Sequence, residues 1–176
     1  MALLPILVAP DPRLKLKAKP VAAVDANVRR MMDDLLETMY AAPGIGLAAP
    51  QAGVAWRVIV VDTSRDDEPR RPLKIANPEI LWRSEELATY SEGCLSVPDH
   101  YADVTRAAKI RLRYIDYDNE IRETEAEGLL ATCIQHEMDH LDGVLFVDHL
   151  SSLKRGIILR KLAKTKRQKA GDAVTA

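Results

Sequence analysis

Between residues 25 and 41 the apolar positions Val28, Met31, Met32, Leu35, Leu36 and Met39 recur every three or four residues, the spacing that lines one face of a helix. Asp25, just ahead of the run, is placed to cap it. PGIGLAAPQAG (43–53) follows, where glycine and proline argue against any regular element. WRVIVVD (56–62) is short, continuous and β-branched, the pattern of a buried strand. A polar loop, RDDEPRRP (65–72), leads into LKIANPEILW (73–82), read as a strand interrupted at Asn77-Pro78. LATYSEGCLSVP (87–98) runs from strand-like sequence into a glycine-containing turn. In KIRLRYIDY (109–117) Ile110, Leu112 and Tyr114 alternate with polar residues, and across Asp118-Asn119 the stretch EIRETEAEG predicts the hairpin partner.

Two helices close the chain, one over Gly128–Leu141 and one from Leu150 to about Gln168, the latter with Leu150, Leu153, Ile157 and Ile158 on one side. The expected fold is α+β: antiparallel strands and a hairpin packed around a central helix, with an N-terminal helix and a basic C-terminal helix. With 176 residues and neither repeat nor linker, the chain is expected to form one domain over 1–176, its tail (169–176) disordered.

Charge changes this picture at one end. Residues 1–150 carry 17 Lys and Arg against 25 Asp and Glu, a net of −8, whereas residues 151–176 carry eight cations and the single acid Asp172, a net of +7. Such a tail is either a solvated helix face or the place where a polyanionic partner would meet the protein. Two cysteines outside any C-x-x-C pair make no disulfide framework. No run approaches the roughly 18 apolar residues of a membrane span, and the opening MALLPILVAPDPRLK lacks the basic start of a signal peptide. The expected compartment is the cytoplasm.

Chemistry concentrates in CIQHEMDHLDG (133–143). His136 and His140 stand one helical turn apart on the same face, so both imidazoles can reach one ion, and Glu137 sits beside them to act on water. A catalytic site of this type needs a third protein ligand. No Glu follows Glu137, and in the pattern that ends in a third histidine, Gly143 matches but Phe146 takes the histidine's place. Cys133 and His140, seven residues apart, are separated by about 10 Å along a helix axis, too far to share an ion. That leaves Cys94, held in the turn EGCLSVP, with His149 open on spacing alone.

GIGLAAPQ (44–51), EGCLSVP (92–98) and QHEMDHLDG (135–143), in this order, resemble peptide deformylase of the bacterial type. The resemblance runs from the ILVAPDPRL opening into the last helix. It implies that Cys94, His136 and His140 bind one divalent metal ion, with water or hydroxide in the fourth position. Fe(II) would be the native ion, and Zn(II), Ni(II) or Co(II) could replace it in purified protein. Glu137 would serve as general base and acid, and Gln51 and the Leu95 N–H would stabilise the oxyanion. The implied reaction removes the formyl group from the initiator formyl-methionine of nascent polypeptides. The competing readings are a metallopeptidase with the same helix and a non-catalytic, metal-stabilised binding module.

Substrate contacts are expected at Ile45, Gly46 and Gly93 and at the helix residues Leu129, Thr132 and Cys133, with Tyr101 near the emerging peptide. Glu92, in the same turn as Cys94, is expected to orient a histidine or to hold the loop. Tyr101 and Thr132 depart from the usual family residues, an arginine and an apolar residue. The expected partners are formyl-methionyl nascent peptides, with ribosome contact through the basic helix. No DNA or membrane partner is expected, and the protein is expected to be a monomer.

Overall fold

A computed structural model describes residues 2–174. The elements follow in the order α1 (Ala26–Ala41), β1 (Gly46–Ala48), β2 (Val58–Val61), β3 (Leu73–Arg83), β4 (Leu87–Cys94), β5 (Val97–Ala107), β6 (Lys109–Ile115), β7 (Ile121–Glu127), α2 (Gly128–Leu141) and α3 (Ser152–Val174). Five strands form one antiparallel sheet in the order β1-β2-β3-β6-β7, and β4 and β5 form a separate hairpin sheet. The architecture is α+β, as the pattern predicts.

The all-apolar strand β2 is explained by what covers it. Ile59 and Val61 face a core that includes Ile134 and Leu141 of α2. Val58 and Val60 face Met32, Leu35 and Met39 of α1. With a helix on each side the strand has no solvent face, so the usual alternation disappears. Full burial of each such side chain contributes about 1.5–3 kcal/mol. A third cluster, with Leu14, Val97, Val104, Phe146 and Leu162, ties the β4–β5 hairpin and α3 to the body.

Local chemistry fixes the boundaries. Asp25 caps α1 by accepting from the backbone N–H groups of Asn27 and Val28. Gly143, at φ +73°, ends α2, and the Val144 N–H returns to Asp139 O at 2.9 Å, a left-handed cap. A side chain there would strike the Lys15 backbone, with its Cβ 2.7 Å from the carbonyl carbon.

Several expectations are corrected. Residues 43–53 do contain regular structure: β1 pairs Gly46 with Val61 and Ala48 with Ile59, and a 3-10 turn covers Ala49–Ala52. β3 is continuous through Asn77-Pro78. Asn77 takes φ +47°, the register shifts between Ala76 and Glu79, and the Asn77 amide brackets both backbone groups of Val21, so the interruption is a β-bulge. β5 was not anticipated as a strand.

The last helix begins at Ser152, which leaves Leu150 in the preceding turn, and Leu153 is 70% exposed. Ile158, Leu159 and Leu162 carry the contact with the core instead. The helix also continues past Gln168 to Val174. Lys169, Ala170 and Ala173 are good helix formers and no proline stops the run. The end of the expected disordered tail, residues 175–176, lies outside the described residues.

Candidate metal centre

Two elements bring the candidate ligands together. Helix α2 presents His136 and His140, one turn apart, with Nε2 atoms 3.3 Å from each other. The β4–β5 hairpin carries Cys94 at the end of β4, opposite Val97 across its tight turn, and places Sγ 3.3 Å from His140 Nε2. All three ligand atoms lie within 4.8 Å of one another. Around a tetrahedral ion, bond lengths near 2.05 Å to nitrogen and 2.3 Å to sulfur would separate the two nitrogens by about 3.4 Å and sulfur from nitrogen by about 3.6 Å. The donor set therefore fits a divalent metal. Burial also pushes the His140 imidazole well below its ordinary range, which keeps it in the neutral, ligating form.

The surroundings hold this geometry. Glu92 accepts from His136 Nδ1 at 2.8 Å, as expected of a group that orients a ligand. The same carboxylate takes the fork of Arg106, Nε at 2.6 Å and Nη2 at 3.0 Å. Burial alone would raise the Glu92 carboxyl, but the bonds from His136 and Arg106 outweigh it and hold it down at about 2. Arg106 reaches on to Asp139 at 2.8 Å, and Asp139 also meets His149 Nε2 at 2.8 Å. His149 is thus engaged on the outer side of α2 and is not among the converging ligands. His100, in turn, bonds the Pro98 carbonyl.

Glu137 is buried beside the ligands, and its Oε2 has no hydrogen-bond partner. Burial pushes its carboxyl up to about 7, against the pull of His136. Gly46 lies directly against this side chain.

Gln51 faces Cys94 from the turn after β1. Its Oε1 accepts from Ala48 N–H at 2.9 Å, and since a backbone N–H can only donate, the amide orientation is fixed. The NH2 end then points at Cys94 Sγ (3.5 Å) and Ser96 Oγ (3.1 Å), the side where a substrate oxygen could be met. Leu95 occupies the turn immediately after Cys94, and its side chain packs against Gly44.

A cavity of about 420 Å³ opens onto these groups. It is lined by every candidate site residue except His140: Ile45, Gly46, Gln51, Gly93, Cys94, Leu95, Tyr101, Leu129, Thr132, Cys133, His136 and Glu137. His140 sits behind the cavity wall, 1% exposed. Cys133 contacts the Ile45 carbonyl through Sγ at 3.4 Å, and burial pushes its thiol well above its ordinary range, so it serves as lining. Tyr101 is exposed and lays its ring edge over Gly93, where a Cβ would come within 2.5 Å.

Sequence reasoning missed Arg106 and Asp139, which complete the network behind His136. It also missed Ser96, which holds the Gln51 amide. Ser96 was legible in principle because it lies inside the EGCLSVP segment. Arg106 was not, because its strand went unrecognised.

Comparison with known proteins agrees with this geometry. The family model described as Polypeptide deformylase matches residues 3–156. A peptide deformylase of Methylocella silvestris is 59% identical over 167 residues, covering 93% of this chain and 85% of the relative. That of Phenylobacterium zucineum is 58% identical over 164 residues, covering 93% and 97%. The crystal structure of peptide deformylase from Ehrlichia chaffeensis superposes with a TM-score of 0.91 at 38% identity, covering 96% of this chain and 99% of the other.

Proposed function

This chain belongs to the polypeptide deformylase family, and from that premise we propose that it hydrolyses the N-formyl group of initiator formyl-methionine on nascent polypeptides with one divalent metal ion held by Cys94, His136 and His140. The observation that carries the reading is the convergence of those three ligand atoms within 4.8 Å, beside a buried carboxyl with a free oxygen at the head of a cavity.

A bound divalent cation would act as a Lewis acid, lowering the pKa of water toward about 7 and polarising the formyl carbonyl. Fe(II) is the proposed native ion. A thiolate and two imidazoles would also accept Zn(II), Ni(II) or Co(II).

The protein's own groups do the rest. Glu137 takes a proton from the attacking water and returns it to the amine nitrogen as the C–N bond breaks, so the water oxygen leaves in formate and the peptide keeps a free α-amine. The Gln51 amide and the Leu95 N–H are the donors proposed for the oxyanion, fixed before charge develops. Gln51 has its carbonyl side anchored on Ala48 and one N–H on Ser96, which leaves the N–H facing Cys94, held only by a long 3.5 Å contact, to turn to the oxyanion. Ile45, Leu129, Thr132 and Cys133 receive the methionine side chain, while Gly46 and Gly93 let the peptide backbone approach and Tyr101 borders it. A formyl hydrogen is far smaller than an acyl substituent, so a narrow site admits formyl and rejects internal peptide bonds.

No helix among the described residues is long and apolar enough to cross a membrane, and we place the enzyme in the cytoplasm as a monomer. Its basic last helix, with Lys161, Lys164, Lys166 and Arg167 exposed, is proposed to meet the RNA-rich ribosome surface through salt-sensitive contacts. Replacing those four by glutamate should abolish ribosome co-sedimentation at low salt, and unchanged binding would remove this partner.

The reaction itself is tested by formate release from formyl-Met-Ala-Ser with anaerobically prepared Fe(II) protein, alongside Glu137→Ala. Release in the wild type that falls by about 10²–10⁴-fold in the variant, at unchanged metal content, is the expected result. No release from folded, metal-filled wild type would overturn the proposal.

A further inference from the structure

The two proposed oxyanion donors come from different parts of the fold. Leu95 lies in the two-residue turn that joins Cys94 to Val97 in the β4–β5 hairpin. Gln51 lies in the 3-10 turn Ala49–Ala52, directly after β1. β1 and β4 belong to separate sheets, so no strand ladder sets the spacing of the two turns. An oxyanion site works only if its donors are fixed relative to each other before charge develops.

Ser96, the other residue of the hairpin turn, spans that gap. It is 0% exposed and does not line the cavity, so it has no access to a substrate. Its Oγ accepts one Gln51 N–H at 3.1 Å, while Gln51 Oε1 accepts from Ala48 N–H at 2.9 Å. A planar amide with its oxygen and one hydrogen both engaged has a set orientation. The second N–H is left aimed at Cys94. A further tie runs through the backbone. The Leu7 N–H donates to the Gln51 carbonyl at 2.7 Å, and the Ala9 N–H donates to the Ser96 carbonyl at 2.8 Å. Two N–H groups of one N-terminal segment thus grip both turns, and Ala9, 1% exposed, is itself anchored in the apolar cluster that holds Val97.

We propose that Ser96 is a positioning residue for the reaction: its hydroxyl aims the free Gln51 N–H and, with the Leu7–Ala9 segment, sets the separation between that donor and the Leu95 N–H. The inference rests on the deformylase reading above and on Gln51 and Leu95 as its oxyanion donors. Ser96 acts entirely through Gln51, so its contribution exists only while the amide is present to be aimed.

The test measures kcat and KM for formyl-Met-Ala-Ser in Fe(II)-loaded wild type, Ser96→Ala, Gln51→Met and the double variant, at matched metal content. Ser96→Ala should lower kcat about tenfold and leave KM within about twofold, because the lost bond serves a donor used in the transition state. In the Gln51→Met background, where no amide remains, the same substitution should change kcat by less than about twofold. An unchanged kcat in Ser96→Ala would overturn the assignment. So would a tenfold fall that persists in Gln51→Met, since Ser96 would then act through the fold and not through the amide. Nitrogen–proton spectra of the Zn(II)-loaded protein supply a readout apart from turnover. The Gln51 side-chain amide signals, identified by their loss in Gln51→Met, should shift in Ser96→Ala, and signals that stay in place would overturn the bond itself. A wild type inert on formyl-Met-Ala-Ser would instead bring down the deformylase reading, and this inference with it.

Discussion

A Cβ at position 46 would stand 2.8 Å from the carboxyl carbon of Glu137, so the carboxylate keeps its place only because residue 46 is glycine. Any side chain there must push Glu137 away from the ligands or shift β1. Displacement of a reacting group by about 1 Å can cost about 10² in rate. Gly46→Ala should therefore lower kcat/KM for formyl-Met-Ala-Ser by about 100-fold while metal content, measured by plasma emission, stays at wild-type level. Equal activity in the variant would show that Glu137 tolerates another position.

Glu92 fixes the His136 ring through a 2.8 Å hydrogen bond to Nδ1. Outer partners of metal-bound histidines are typically worth about 10–100-fold in metal affinity or activity. Glu92→Gln should weaken metal retention by that factor in a competition with a fluorescent chelator. A variant that holds its metal as tightly as wild type would reduce Glu92 to a structural ion-pair partner.

Arg106 is the buried cation between Glu92 and Asp139, with side-chain exposures of 6% for Arg106 and 5% for Glu92. Removing one member of a buried pair strands the other charge, at about 3–5 kcal/mol. Arg106→Met is expected to lose that much stability in urea unfolding. A change below about 1 kcal/mol would mean that Glu92 is compensated by His136 alone.

Tyr40 donates to Asp62 at 2.5 Å, and burial, reinforced by that bond, pushes its phenol up to about 12. The raised value favours the neutral form in the folded protein. Its contribution to stability should accordingly be complete below about pH 10 and fade as pH rises toward 12. A spectrophotometric phenol titration should lose one late-titrating component in Tyr40→Phe, while the phenols of Tyr114, raised by burial, and Tyr117, raised by its bond to Asp33, still titrate late; the variant's stability should depend less on pH in that window. An ordinary titration midpoint for Tyr40 would contradict the pairing.

Legibility in the sequence tracked how local each cause is. Helix α1, its Asp25 cap, the β6–β7 hairpin and the His136–His140 pair depend on neighbours within a turn or a tight loop, and all appear where their spacing puts them. Strand β5 was hidden because its inward residues include Arg106, whose burial depends on Glu92 and Asp139 supplied by other elements. β1 was hidden behind glycine and proline. Three residues there become a strand only because β2, already held between two helices, offers a ladder. In the same way Leu153 carried a helical signal but found no core to meet, since α3 contacts the body through Leu162 and its neighbours. The candidate metal ligands were accessible through their chemistry, while the distance between Cys94 and α2 emerged only from the packing of hairpin on helix.

β1 closes one side of the large sheet and β4 one side of the small one, each paired on a single flank. The cavity lies between them, lined by Gly44–Gly46 on one bank and Ser91–Cys94 on the other. The two sheets thus present one edge strand each to the cavity, with backbone groups of both banks among its lining. A formylated chain lying extended there would bridge the sheets, and it would be gripped through atoms that every amino acid has in common. Beyond its first residue, a client need offer little more than a backbone and a free end, a fitting demand for an enzyme proposed to act on a whole proteome.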